Sequence, residues 1–118
     1  MKNSNLLKVI VNAADDKRAE ELVALDIHQV SSITDCFVIM QADSKRQVQA
    51  IAEEIEEKVA AAGFEIQRID GRNSGTWVLI DLGDIIVHVF QTETRKFYNL
   101  EKLWSNCPSI DLHSLINE

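Results

Sequence analysis

Thr76-Trp77-Val78-Leu79-Ile80-Asp81-Leu82-Gly83-Asp84-Ile85-Ile86-Val87-His88-Val89-Phe90 is the stretch that decides the fold. Two runs rich in β-branched and aromatic residues flank Gly83-Asp84. Glycine at the first central position is what a two-residue type II′ turn requires, so the stretch reads as a β-hairpin. That turn sets the pairing: Leu82 opposite Ile85, Ile80 opposite Val87, Val78 opposite Val89. Side chains alternate across a strand. Thr76, Val78, Ile80, Leu82, Ile85, Val87 and Val89 therefore share one almost wholly apolar face, while Trp77, Leu79, Asp81, Ile86, His88 and Phe90 share a mixed one. A hairpin of this kind needs cover on both sides, from helices or from a partner.

Downstream, the spacing predicts an amphipathic helix over Glu93 to Trp104, with Thr92 as its N-cap. Phe97, Leu100 and Trp104 fall at i, i+3 and i+7 and form its inward stripe, with Leu103 beside it. Tyr98, Glu101 and Lys102 point elsewhere.

Upstream, Leu6, Leu7, Ile10, Val11 and Ala14 predict an amphipathic helix capped by Asn3 or Ser4, closed by the charged run Asp15 to Arg18. Glu21 to Ile27 reads as a strand. Val30 to Thr34 is a connector, and Asp35 to Gln41 is a strand whose continuous apolar character suits a central position. Ser44-x-x-Gln47 is a capping box that opens a helix. Val48, Ile51, Ile55 and Val59 are its buried stripe, Ala52 and Ala62 its close contacts, Glu53, Glu54, Glu56, Glu57 and Lys58 its solvated face, and Gly63 its end. Phe64 to Ile69 reads as a further strand, Asp70 to Gly75 as a loop, and Pro108 as the close of the last helix, with Ile110 and Leu112 ordering part of the tail. The expected order is α–β–β–α–β–β–β–α: a single α/β domain over residues 1–118, a sandwich around a mixed sheet of about five strands. Strand order is not legible.

Composition narrows the function. With 118 residues, 46% hydrophobic and 26% charged, four Gly and one Pro, the chain is an ordinary globular one. No apolar run approaches the roughly 20 residues of a membrane span, and Lys8 interrupts the apolar order of a secretion signal. A cytoplasmic protein that engages no membrane is expected. Cys36 and Cys107, with no CxxC spacing, read as reduced bystanders. The net charge of −7 should repel bare DNA or RNA and suit a basic protein surface.

Several groupings suggest chemistry. Asp70-Gly-Arg-Asn-Ser-Gly75 lacks the Lys-Ser/Thr of a phosphate loop and leads into a strand, so it reads as an exposed turn. Asp81 and Asp84 could hold a metal for nucleotidyl transfer, but one lies on the strand face and the other in the turn. Asp81 and His88 share a face diagonally across the hairpin, within hydrogen-bond reach. Without a neighbouring nucleophile, that pair reads as a structural His held by Asp. His28 and His113 lack ligand spacing to His88, so neither a zinc site nor a cofactor is expected. Trp104 fits the core. Trp77 on the mixed face and Tyr98 off the inward stripe, with Arg95 and Glu101 near, have the composition of an interaction hot spot.

Trp77-x-x-x-Asp81-x-Gly83-Asp84-x-x-x-His88-Val89-Phe90, followed by Arg95-x-Phe97-Tyr98-Asn99-Leu100-Glu101-x-Leu103-Trp104, closely resembles the Iojap family of ribosomal silencing factors. Asp35-x-Phe37-Val38-Ile39 and Ser44-x-x-Gln47 match in order and spacing, so the likeness covers residues 5 to 112. One departure is Asp70-Gly71 where the family pattern has Glu-Gly. The resemblance implies a nucleotidyltransferase-like fold without enzymatic activity. It implies binding to the large ribosomal subunit through ribosomal protein number fourteen at the intersubunit face, blocking the small subunit and lowering translation when nutrients are scarce. It also allows a homodimer of the unbound protein. By resemblance, Trp77, Arg95, Tyr98, Asn99 and Glu101 reach the partner, Glu101 meeting a Lys or Arg. Asp81, Gly83 and His88 hold that surface in shape. The rival from another class is a metal-dependent nucleotide-binding transferase.

Overall fold

The computed structural model describes residues 4–113 and 115. Along the chain run α1 (Ser4–Asp16), β1 (Glu20–Asp26), β2 (Cys36–Ala42), α2 (Lys45–Ala61), β3 (Arg68–Asp70), β4 (Trp77–Asp81), β5 (Ile85–Gln91), α3 (Thr92–Tyr98), α4 (Leu100–Leu103) and β6 (Ser109–Ile110). The strands form one mixed sheet in the order β3-β4-β5-β2-β1-β6. Among the described residues, β2 and β5 alone run parallel; the other pairs are antiparallel.

The β4–β5 hairpin has the expected register, Val78 opposite Val89 and Ile80 opposite Val87. The Leu82 amide donates to the Ile85 carbonyl at 2.9 Å. Gly83 has φ +89° while Asp84 keeps a negative φ, which distinguishes type II′ from type I′. Alternation then divides the molecule. Val78, Ile80, Val87 and Val89 join Cys36, Val38 and Met40 of β2 beneath the apolar stripes of α1 and α2, the main core. The opposite face carries a smaller cluster of Leu25, Ile27, Ile39 and Phe90, with Phe37, Trp77, Leu100, Trp104 and Cys107 packed against it. β2, flanked by β5 and β1, holds the central position its sequence predicts.

The α2 helix begins and ends by local chemistry. Ser44 caps α2, its Oγ accepting from the Gln47 amide at 3.1 Å. The capping box is only half made, because the Gln47 side chain donates instead to the Lys17 carbonyl. Gly63, at φ +90°, closes α2 with Gly63 N to Ala60 O and Phe64 N to Val59 O, a Schellman pattern. Ser4, one of the two predicted caps, is the first residue within α1; Asn3, the other predicted cap, lies outside the described residues.

Several expectations need correction. The strand expected over Phe64 to Ile69 is only Arg68–Asp70, because the Phe64 amide closes α2 and edge pairing begins when Gln67 N reaches Asp81 O. Ala62 is exposed rather than packed. The tail adds a sixth strand, β6, against β1. The helix expected over Glu93 to Trp104 breaks at Asn99, whose φ of 49° is left-handed, into α3 and α4. Its N-cap is Gln91, and Thr92 Oγ1 donates to Asp43 Oδ1 instead. The break re-aims the stripe: Phe97 is 80% exposed and Leu103 75%, whereas Leu100 and Trp104 still face the sheet.

Candidate functional site

The mixed face of the hairpin and the α3–α4 corner meet in a cluster of aromatic rings. The Trp77 indole lies 4.8 Å from the Phe90 ring and 4.9 Å from the Tyr98 ring, centroid to centroid. Phe97 stands edge-on to Tyr98 at 5.1 Å. On the β2 side, Phe37 stands perpendicular to both His88, at 4.8 Å, and Trp104, at 5.4 Å. Such tilted and edge-on arrangements suit the ring quadrupoles and hold each ring in a defined pose. The outer members stay open to solvent: Tyr98 is 52% exposed, beside the exposed Phe97. Trp77 and Tyr98, singled out together by sequence, do meet in one surface.

His88 is the polar centre of the cluster and is 4% exposed. The Trp77 Nε1–H donates to its Nδ1 at 3.1 Å. Burial pushes its pKa down to about 4, so the ring is neutral. The expected Asp81–His88 contact does not form. Asp81 Oδ1 accepts from the Gly83 amide at 2.9 Å and braces the turn, because its position beside the turn brings that donor closer than the imidazole. His88 is held by Trp77 instead.

Arg95 is the second correction. It is only 7% exposed. Its Nε and Nη2 donate to the two Glu101 carboxylate oxygens at 2.9 and 3.0 Å, a bidentate pair. Its Nη1 donates to the Glu21 carbonyl at 2.7 Å and to Gln41 Oε1 at 3.2 Å. Glu21 stands at φ 52° in the bulge that shifts the β1–β2 register. One guanidinium thus ties β1, β2, α3 and α4 together. The carboxylate expected to meet a partner's Lys or Arg is engaged within the chain, six residues from its cation. Asn99, also expected at the partner, supplies the left-handed corner between these two residues, its amide donating to the Arg95 carbonyl at 2.8 Å. Asparagine tolerates that conformation better than most residues.

Sequence reasoning missed Phe37, Gln41 and Glu21 as members of this site. The alternation of β2 could have placed Phe37 and Gln41 on the mixed face. Nothing local marks the Glu21 carbonyl, which is defined by a bulge. Among the described residues, no group of three or more His, Cys, Asp or Glu side chains converges as a metal site, and no helix is long and apolar enough to cross a membrane. Cys36 and Cys107 are both free thiols, and burial raises Cys36 to about 12, so it is inert.

Comparison with known proteins gives a consistent picture. The model of the family described as ribosomal silencing factor during starvation matches residues 1–118. A ribosomal silencing factor of Halalkalibacterium halodurans is 48% identical over 117 residues, covering 99% of this chain and all of that protein. A crystal structure of a protein from Bacillus halodurans superposes with a TM-score of 0.84 at 48% identity, over 93% of this chain and 100% of the other. A more distant relative, from Mus musculus, is named mitochondrial assembly of ribosomal large subunit protein 1; it is 24% identical over 102 residues, 84% of this chain and 45% of that protein.

Proposed function

The chain belongs to the ribosomal silencing factor family, and from that premise we propose that it binds the large ribosomal subunit and blocks its joining to the small one. The observation that carries this reading is the family match along the whole chain. The name of the mouse relative points toward the large subunit. The geometry supports a specific surface: Tyr98, with the exposed Phe97 beside it, on a frame stiffened by the Arg95–Glu101 pair. Partly exposed aromatics held rigidly cost little conformational entropy when a partner covers them.

The partner in this reading is a basic protein of the subunit's intersubunit face, the ribosomal protein numbered fourteen. A chain of net charge −7 is attracted to such a surface and repelled by bare RNA phosphates. Trp77 and Tyr98 act as anchors and Asn99 lies at the rim, while Arg95 and Glu101 support the corner from within. Once docked, the chain occupies space the small subunit needs, so repression of translation under starvation is steric and no bond is made or broken. The protein acts in the cytoplasm, alone or as a homodimer before it docks.

Light scattering of subunit joining tests the reading. Large subunits preincubated with excess protein should join small subunits to a much lower plateau. An unchanged plateau at saturating protein would refute it. Magnesium-dependent nucleotide turnover that disappears in a folded Asp81→Ala variant would replace it with a transferase.

A further inference from the structure

His88 carries a polar group without a hydrogen-bond partner among the described residues. Because the Trp77 indole N–H donates to Nδ1, Nδ1 must be the acceptor nitrogen, and the neutral ring carries its proton on Nε2. That Nε2–H is buried and has no hydrogen-bond partner among the described residues. A buried donor without an acceptor is costly, and folded proteins rarely keep one without use. Covalent geometry places Nε2 at the end of the imidazole remote from the β5 backbone, on the sheet face that bears Trp77 and Phe37. The Asp81 carboxylate could have satisfied it from across the hairpin, yet it is turned to the Gly83 amide.

We propose that His88 is a recognition donor: its Nε2–H, fixed in tautomer by Trp77, takes a main-chain carbonyl of the ribosomal partner. This rests on the reading that the aromatic surface docks on the large subunit. A carbonyl suits the place better than a carboxylate or phosphate. The surrounding groups are neutral aromatic rings, the Arg95 cation is already taken by Glu101, and the chain is acidic. A buried anion there would lose its hydration without gaining a countercharge. Docking at Nε2 displaces the half-buried neighbouring side chains, Phe37 edge-on to the imidazole and Trp104 edge-on to Phe37. Trp104 follows a helix of only four residues joined through the left-handed Asn99, so its displacement leaves the sheet intact. His88 thereby adds directional specificity to a surface that otherwise offers mostly apolar area.

His88→Asn separates the two nitrogens, because its amide oxygen can replace Nδ1 as acceptor for Trp77 while no group replaces Nε2–H. His88→Gln is the complement, carrying an amide N–H near the Nε2 position. Equilibrium binding to purified large subunits should weaken about tenfold for His88→Asn, as expected for one lost interfacial hydrogen bond, and by less for His88→Gln. Equal binding by wild type and a folded His88→Asn overturns the inference while leaving the docking reading intact. Failure of wild type to bind overturns both. If His88→Asn does not fold, two-bond proton–nitrogen correlation on the labelled wild-type protein decides: a neutral ring protonated at Nε2 is expected, and a proton on Nδ1 overturns the proposal.

Discussion

Tyr98 and Phe97 are adjacent in sequence and similar in chemistry, and a regular helix would bury Phe97 and leave Tyr98 at the margin. The corner at Asn99 leaves both exposed, Phe97 the more so. Phe97→Ala should therefore barely change the melting temperature, as expected for an exposed side chain at roughly 0.5 kcal/mol or less, where a buried Phe would cost about 3–5 kcal/mol. Tyr98→Ala should weaken large-subunit binding by about 2 kcal/mol, roughly thirtyfold, if it is a hot spot, with little loss of stability. Titration calorimetry beside thermal melts separates the two effects; early melting of Tyr98→Ala with normal binding by the folded fraction would displace the anchor. His88 makes a second prediction. Unfolded, its imidazole takes a proton near pH 6.5, but folded it does so only near about 4. The unfolded state thus binds more protons between these values, and stability is full above pH 6.5 and falls as pH drops through the window. The loss should approach about 3 kcal/mol near pH 4. Glu56, whose carboxyl is held above its ordinary pKa by burial, contributes the opposite slope, so urea unfolding of wild type against His88→Phe isolates the imidazole. A wild-type slope no steeper than that of the variant would contradict the buried neutral ring.

Elements differ in how much of their placement the sequence carries. The β4–β5 hairpin was legible down to its register, because a glycine turn and period-two alternation are both local signals. The α2 stripe and its Ser44 cap were legible for the same reason. The segment from Gln91 to Trp104 was not, since 3.6-residue spacing describes a helix but does not say where it stops. Asn99 was the available signal, as a residue that accepts left-handed backbone. The site was half legible: Trp77 and Tyr98 were paired by face, whereas Arg95 looked like a surface cation. Its burial depends on Glu21 and Gln41, residues 74 and 54 positions away, whose placement depends on strand order. A further prediction follows at this scale. Arg95→Ala should destabilise the fold by about 2 kcal/mol, because it removes hydrogen bonds to Glu101, Gln41 and the Glu21 carbonyl while the partly exposed Glu101 carboxylate keeps some water. Differential scanning calorimetry measures this; a melting temperature within a degree of wild type would make Arg95 a surface residue.

The molecule as a whole sets two faces of one sheet to different tasks. The face under α1 and α2 is closed and supplies the core. The other is covered thinly by α4 and the aromatic cluster, and it leaves apolar side chains in solvent. An acidic chain with one such face suits the proposed docking on a basic partner. Sucrose-gradient sedimentation of joined ribosomes mixed with the purified protein tests this most directly. Docking on the large subunit predicts that joined particles give way to separate subunits, with the protein migrating in the large-subunit fraction. Co-migration with the small subunit alone, or a joined peak unchanged at saturating protein, would contradict it.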